Sequence, residues 1–198
     1  MQLKSLLIAL FLGLNLSISA QTTDEFSLAM GSSIWHEWLP EDVHYIPMVM
    51  LGAFPIWERK NFFIYAEGQL TYATNQVDFS SEYEIGANLG IGYRLNLSNW
   101  FNLTALIGSG PNYITIETRR QAKGFIFSDN CELGMNFKIN HINTAIQLKA
   151  RYRHISNAGL KDPNGGIDNL IAIIGIKKTL ASKAKPVMVG IENKSVSK

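Results

Sequence analysis

Polar and apolar residues alternate strictly over residues 81–97, SEYEIGANLGIGYRLNL. Every odd position from Tyr83 to Leu95 is apolar or aromatic, and the even positions between them carry Glu, Gly, Asn or Arg. Successive side chains of a β-strand point to opposite faces, so this pattern predicts a strand with one apolar and one polar face. The predicted strand is long, because strands of soluble domains have about 5–6 residues and tilted membrane-spanning strands about 9–11.

The same alternation recurs along most of the chain. Three further segments show it clearly: 62–72, 125–139 and 144–156. Asp129 is the one exception on the apolar face of the second of these segments. Weaker alternation is present in four more segments: 25–36, 45–55, 100–110 and 168–180. The chain is therefore predicted to form about eight strands, with no comparable signal for a helix.

The surroundings of these strands favour a membrane barrel over a soluble sandwich. Hydrophobic residues make up 46% of the chain, yet beyond the N-terminus no continuous apolar run is long enough for a spanning helix. The polar faces carry both charge signs, and every second predicted connection (56–61, 96–99, 140–143) is short. Aromatic residues fall near strand ends: Trp57, Tyr72, Tyr83, Tyr93, Trp100, Phe101 and Tyr113. These features predict an all-β fold, an eight-stranded antiparallel transmembrane β-barrel of the outer membrane with a side-chain-filled polar interior.

The two ends of the chain differ from the predicted barrel. Residues 1–20 have a positive Lys4, an apolar core and a small Ala20 at the end, a pattern typical of a cleaved signal peptide. We expect residues 21–180 to form the barrel domain and the polar, Lys-rich residues 181–198 to be a periplasmic tail. The net charge of +2 gives no indication of a nucleic-acid partner, and the single Cys131 excludes an internal disulfide.

Residues 153–168, RHISNAGLKDPNGGID, contain the candidate functional residues. His154 and Ser156 share parity with the apolar residues of their strand, as Asp168 does in the next strand, so all three are predicted to face lipid. A hairpin centred on Lys161 sets His154 opposite Asp168, with Cβ atoms about 4.5–5.5 Å apart. His154 and Ser156 are about 6.5–7 Å apart along the strand. This spacing allows a relay in which Asp168 orients His154 and His154 activates Ser156 for attack.

An alternative is that the segment is an ordinary Gly, Asn and Pro turn flanked by solvated polar residues. Polar groups on a lipid-facing surface are costly, about 2–4 kcal/mol for Arg or Lys at the midplane and less near the interface. Three residues of matching chemistry on that face therefore favour a site. Such a site is useful only for a substrate that arrives laterally in the membrane.

The same segment resembles the signature of the lipid A 3-O-deacylases, the PagL family of outer-membrane acyl hydrolases. The matching residues are His154, Ser156, Asn157, Ala158, Gly159, Pro163, Asn164, Gly166 and Asp168. The resemblance implies that Ser156 is the nucleophile and His154 the base. It further implies that Asp168 is the acidic partner, and that Asn157 and Gly159 support the oxyanion. A known member of the family has Glu at the acidic position, where this chain has the shorter Asp168.

By this resemblance, the reaction is hydrolysis of an ester-linked acyl chain of lipid A, or lipopolysaccharide, in the outer leaflet. No cofactor and no metal is expected, because His36, His44 and His141 are scattered without ligand spacing. The sequence around Ser109 does not form a G-x-S-x-G elbow, and Cys131 shares parity with apolar residues. Two alternatives remain open, a non-catalytic adhesin or structural barrel and a soluble lipocalin-like binder. The oligomeric state, monomer or homodimer, also stays open.

Overall fold

The computed structural model describes residues 25–36, 45–75, 81–115, 117–118 and 120–180 of the chain. The predicted signal peptide and the predicted polar tail lie outside these residues. Eight strands follow one another: β1 (Glu25–His36), β2 (Tyr45–Arg59), β3 (Phe62–Asn75), β4 (Ser81–Asn96), β5 (Phe101–Ile114), β6 (Gly124–Ile139), β7 (Thr144–Ser156) and β8 (Ile167–Thr179). A short 3-10 helix (Asn140–Ile142) connects β6 to β7.

The strands close into an antiparallel barrel in which each strand pairs with its neighbours in the chain and β1 pairs with β8. The predicted fold class is confirmed. β2 is longer than predicted, because a register shift between Pro55 and Trp57 lets the strand continue to Arg59. A bulge accommodates the missing backbone N–H of a proline within a sheet. No helix in the described part of the chain is long and apolar enough to cross a membrane.

The outer surface of the barrel is apolar and has aromatic residues at both ends. Ile107 and Leu133, in the middle of their strands, have exposed fractions of 60% and 65%. At the end where β1 begins and β8 ends, here called the terminal end, Phe62 and Tyr93 pack with ring centroids 4.9 Å apart. At the opposite end, called the loop end, another aromatic pair packs with centroids 5.5 Å apart, Tyr72 and Tyr83. An apolar band between two aromatic girdles is the surface of an outer-membrane barrel.

The interior is filled with paired charges. Arg151 is 1% exposed and its guanidinium lies 2.7 Å from carboxylate oxygens of both Glu67 and Glu132. Next to it, Arg153 pairs with Glu84 at 2.7 Å. Buried ions are costly unless they are paired and hydrogen-bonded. Here β3, β4 and β6 supply the carboxylates for the two arginines of β7. The polar face predicted from the alternation therefore points inward.

An apolar plug closes the interior at the loop end. It consists of five side chains from five strands, each at most 1% exposed: Ala73, Ile114, Ile126, Ile155 and Ile167. Ile155 of β7 pairs directly with Ile167 of β8. The plug packs the inner side of the two strands that carry the predicted site. The outer side of these strands is thereby held in a fixed place on the barrel wall.

Candidate active site

The hairpin between β7 and β8 brings His154 and Asp168 together on the outer wall. The two residues are direct partners in the strand register, as the predicted hairpin requires. Nδ1 of His154 lies 2.8 Å from Oδ1 of Asp168, within hydrogen-bond distance. The side chains are partly exposed, at 35% for His154 and 21% for Asp168. The contact therefore lies on the outer surface of the barrel and not in its interior.

Asp168 receives a second hydrogen bond that the sequence did not predict. The Tyr152 hydroxyl donates to the same Oδ1 of Asp168 over 2.6 Å. Tyr152 lies two positions before His154 and therefore shares its face of β7. The Asp168 carboxylate oxygen beside Nδ1 can only accept a hydrogen bond, and this favours the imidazole tautomer with hydrogen on Nδ1. Nε2 of His154 is then free of hydrogen and can take a proton.

Ser156 is the last residue of β7 and lies on the same face as His154. It is half-buried at the start of the connection to β8. Within the described residues, no hydrogen bond joins the Ser156 hydroxyl to the His154 imidazole. Catalytic hydrogen bonds commonly form or shorten only when substrate is bound. The structure thus places the three predicted residues side by side and brings two of them into contact.

The connection after Ser156 is ordered by the side chain of Asn157. Its amide nitrogen donates to the Lys161 carbonyl over 2.6 Å, and its oxygen accepts from the Gly159 N–H over 3.0 Å. Its own backbone N–H donates to Oδ1 of Asn164 over 2.8 Å. Asn157 is 2% exposed. In this arrangement the amide that the resemblance assigned to the oxyanion is bound within the loop.

The same loop is hydrogen-bonded to the connection between β5 and β6. The Ala122 N–H donates to the Pro163 carbonyl over 2.9 Å. Arg120 donates from Nη2 to the Gly165 carbonyl over 3.0 Å. These contacts join residues more than 40 positions apart, so no local sequence pattern reports them. They hold the residues between Ser156 and Asp168 against the neighbouring part of the loop end.

Gly166 fixes the space available to the His154 ring. Its backbone has φ +71°, and a Cβ at this position would lie 2.5 Å from Cε1 and 3.0 Å from Nε2 of His154. Any larger residue would displace the imidazole or strain the backbone. The sequence motif includes this glycine, but its contact with the histidine becomes visible only in the structure.

In the described part of the chain, the other residues considered from the sequence form neither a metal-binding group nor a second nucleophile. Among the described residues, no three or more His, Cys, Asp or Glu side chains come together as a metal-binding group. Cys131 is a free, exposed thiol on the outer face of β6. Ser109 lies within β5 and not at a strand-to-helix turn.

The site lies within a segment that matches a known family. Residues 97–177 match the family model described as Lipid A 3-O-deacylase (PagL). This segment is similar to the PagL family. It contains β5 to β7, most of β8, the loop after Ser156 and all of the predicted site residues. The resemblance noted in the sequence is thereby confirmed.

Three solved structures are similar to this chain. The crystal structure of the outer membrane enzyme PagL matches with a TM-score of 0.58 at 17% identity, covering 79% of this chain and 99% of that chain. Neisserial surface protein A matches with a TM-score of 0.48 at 12% identity, covering 79% and 94%. OprG from Pseudomonas aeruginosa matches with a TM-score of 0.47 at 10% identity, covering 81% and 98%. At such identities the likeness to the PagL structure shows the fold alone. No curated protein sequence gives a significant match.

Proposed function

We propose that the protein is a lipid A deacylase of the outer membrane that hydrolyses an ester-linked acyl chain, the primary chain at the 3-O position. Ser156 is the nucleophile, His154 the general base and Asp168 the residue that orients the base. The contact of 2.8 Å between His154 and Asp168 on the outer wall is the observation that carries this proposal. It lies in the segment that matches the PagL family.

The first half of the reaction forms an acyl-enzyme. The Ser156 Oγ attacks the ester carbonyl carbon while Nε2 of His154 takes the hydroxyl proton. The carbonyl electron pair moves onto oxygen, which gives a tetrahedral intermediate. When the intermediate collapses, the bond to the sugar oxygen breaks and His154 returns its proton to that oxygen. Asp168 holds Nδ1–H throughout and stabilises the transient imidazolium.

The second half repeats these steps with water. His154 takes a proton from water, the hydroxyl attacks the acyl carbon, and the bond to Ser156 Oγ breaks as the proton is returned. The products are a free fatty acid and a lipid A with one chain fewer. The partial exposure of His154 and Asp168 is compatible with entry of this water at the membrane surface.

Two hydrogen bonds bear on how Asn157 and Gly159 support the site. The Asn157 amide is bound to the Lys161 carbonyl, and the Gly159 N–H is bound to the Asn157 oxygen. We infer that the two residues fix the loop that follows the nucleophile. A direct role of the Asn157 amide at the oxyanion would require it to leave the Lys161 carbonyl.

The site is proposed to face the outer leaflet, and residues 21–180 form the hydrolase barrel. The terminal end of the barrel would then lie in the periplasm, together with the tail of residues 181–198. Lipid A, or the lipopolysaccharide that contains it, would reach Ser156 by lateral diffusion along the apolar wall. No cofactor has a step in this mechanism.

The test is mass spectrometry of lipid A from cells that do or do not express the protein. We expect the loss of one acyl chain with the wild type and intact lipid A with Ser156→Ala. The Ser81→Ala variant is a matched control, because Ser81 is an exposed serine at the loop end whose hydroxyl contacts Tyr72. Full deacylation by Ser156→Ala would refute the assignment of Ser156 as the nucleophile. Unchanged lipid A with a folded wild-type barrel would favour the non-catalytic alternative.

A further inference from the structure

Four exposed cations lie at the terminal end of the barrel, at the opposite end from the candidate active site. They are Arg59 and Lys60 at the turn between β2 and β3, Lys138 near the end of β6, and Lys178 near the end of β8. We call these four residues the basic rim. Within the described residues, none of them forms an ion pair or a side-chain hydrogen bond. Their positive charge therefore has no partner in this part of the chain.

The carboxylates at the terminal end are already paired with cations of the interior. Glu25 lies 3.1 Å from both Arg94 and Lys177, and Glu58 lies 2.9 Å from Arg94. The charges of these two glutamates and two cations cancel. No further carboxylate lies at this end in the described part of the chain, so the charge of the basic rim is uncompensated. Residues 181–198, which follow β8, add four Lys and one Glu to the sequence.

The loop end has a different charge pattern. Its described residues carry both signs, including Glu117 paired with Lys123 at 3.3 Å and the exposed neighbours Lys161 and Asp162. The net charge of the chain is only +2. The positive surface is therefore a property of one end of the barrel and does not reflect the composition as a whole.

The basic rim adjoins the apolar outer wall directly. Arg59 is the strand partner of Phe62, whose ring packs against Tyr93 at the terminal end. Lys178 follows Ile176 by two positions, so both side chains lie on the outer face of β8. Each of these two cations thus lies at the edge of a surface that is suited to hydrocarbon.

Lys138 lies beside an aromatic cluster at the same end. Its backbone N–H donates to the Trp100 carbonyl over 2.7 Å, and the Trp100 ring stacks on Phe137. Aromatic side chains in such belts lie at the level of the lipid headgroups. Long basic side chains beside them can extend their charge to the phosphates while their methylene groups remain on apolar surface. The rim is therefore at the height of the headgroups.

These positions restrict the chemistry of a partner. Ammonium and guanidinium groups only donate hydrogen bonds, so the partner must offer acceptors, and a phosphate is a strong one. The partner must also have hydrocarbon directly beside its anionic group, because the rim adjoins the apolar wall. A phospholipid with a net negative headgroup meets both conditions. A zwitterionic phospholipid meets them less well, since its own ammonium is repelled by the rim.

We propose that the basic rim is a binding surface for anionic phospholipids. Their phosphates contact the four cations, and their acyl chains lie along the apolar wall. In the orientation proposed above, these are lipids of the inner leaflet, and they would hold the barrel at a fixed depth in the membrane. The inference uses the proposed function only to name the leaflet and does not depend on hydrolysis.

The experiment measures which lipid lies next to each end of the full chain. The protein is reconstituted into mixed bilayers of phosphatidylglycerol and phosphatidylcholine, and one of the two lipids is brominated, so that it quenches adjacent tryptophans. The double variant Trp35→Phe/Trp38→Phe keeps Trp57 and Trp100 as reporters of the terminal end. The triple variant Trp38→Phe/Trp57→Phe/Trp100→Phe keeps Trp35, which lies at the loop end of β1.

We expect the terminal-end reporter to prefer phosphatidylglycerol by about fivefold, the effect of roughly one cation on each adjacent headgroup. The loop-end reporter should show a preference of less than about twofold, because both charge signs are present there. Added salt should weaken the preference at the terminal end, since exposed charges are screened.

Neutralising the rim tests its residues directly. Changing all four cations to Gln should lower the preference at the terminal end to less than about twofold, and Lys138→Gln/Lys178→Gln should lower it in part. Lys138→Arg/Lys178→Arg keeps the charge and should keep the preference. The matched control is Lys123→Gln/Lys161→Gln, which removes two exposed cations from the loop end and should leave the terminal-end ratio unchanged.

Three outcomes would overturn the binding surface. They are the same preference at both ends of the barrel, an unchanged preference after all four cations are replaced, and an equal loss in the control variant. Absence of any preference at the terminal end would instead leave the rim to a soluble acidic partner, which also contradicts the proposal. Deacylation is not the readout, so failure here does not bear on Ser156. A barrel that keeps the lipid preference but leaves lipid A intact would count against the proposed function alone.

Discussion

Nδ1 of His154 lies 2.8 Å from Oδ1 of Asp168, so the shorter acidic side chain of this sequence reaches the histidine. A known family member has Glu at this position, and the missing methylene left the contact in question. Direct pairing of the two residues across β7 and β8 closes that gap. The geometry therefore supports Asp168 as the orienting residue and makes its replacement informative.

We expect Asp168→Asn to lower kcat for lipid A deacylation by about 10²–10⁴-fold, because an amide no longer favours the productive tautomer of His154. Asp168→Glu retains the charge and should keep activity within about tenfold of the wild type. Asp162→Asn is the control, since Asp162 is an exposed carboxylate in the same loop. Equal activity of Asp168→Asn and the control would remove Asp168 from the relay.

Tyr152→Phe tests the second hydrogen bond to Asp168. The variant keeps the ring on the outer wall and removes only the hydroxyl that lies 2.6 Å from Oδ1. We expect kcat to fall by about tenfold with little change in KM, because the carboxylate is less firmly oriented. Tyr113→Phe, an exposed tyrosine elsewhere on the wall, should behave as the wild type. A change confined to KM would mean that the hydroxyl contacts substrate instead.

Gly166→Ala should displace the imidazole and reduce kcat by about 10²-fold or more, since a misplaced catalytic group is costly. The new Cβ would meet Cε1 of His154 at 2.5 Å. The Gly159→Ala variant distinguishes the effect of this contact from the effect of backbone strain. Gly159 also has a positive φ, +78°, but an added Cβ there has no atom within 4 Å. We expect similar losses of thermal stability in the two variants and a much smaller loss of kcat in Gly159→Ala.

Asn157→Ala distinguishes a loop role from an oxyanion role. Loss of the bonds to the Lys161 carbonyl and the Gly159 N–H should speed hydrogen exchange of the Gly159 and Leu160 amides and lower the melting temperature. Activity would fall as a consequence of the disordered loop. A direct oxyanion donor would behave otherwise, with kcat reduced about 10²–10³-fold and exchange unchanged. Hydrogen exchange measured beside kcat decides between the two.

The alternation of side chains predicted the strands closely, because the period of two is the strongest signal of an outer-membrane strand. β1 and β7 have the predicted bounds, and the side chains of β7 face as their parity required. The predicted β2 ended too early, at Pro55, because the bulge that follows cannot be inferred from the residues alone. The position of the site followed from parity together with a single hairpin register.

Contacts between segments that are distant in the chain could not be predicted from the sequence. The anchoring of Gly165 by Arg120 depends on how two loop-end connections meet. The bond from Tyr152 to Asp168 required side-chain directions in addition to parity.

The apolar plug and the paired charges beneath it fill the interior, which leaves the proposed hydrolysis to the outer wall. An enzyme built in this way samples its substrate in two dimensions, within the plane of the surrounding lipid. Its rate should follow the mole fraction of substrate at the surface, and dilution with inert detergent at constant bulk concentration should slow it. Turnover in the cell would then be governed by the packing of neighbouring lipids as much as by the amount of enzyme.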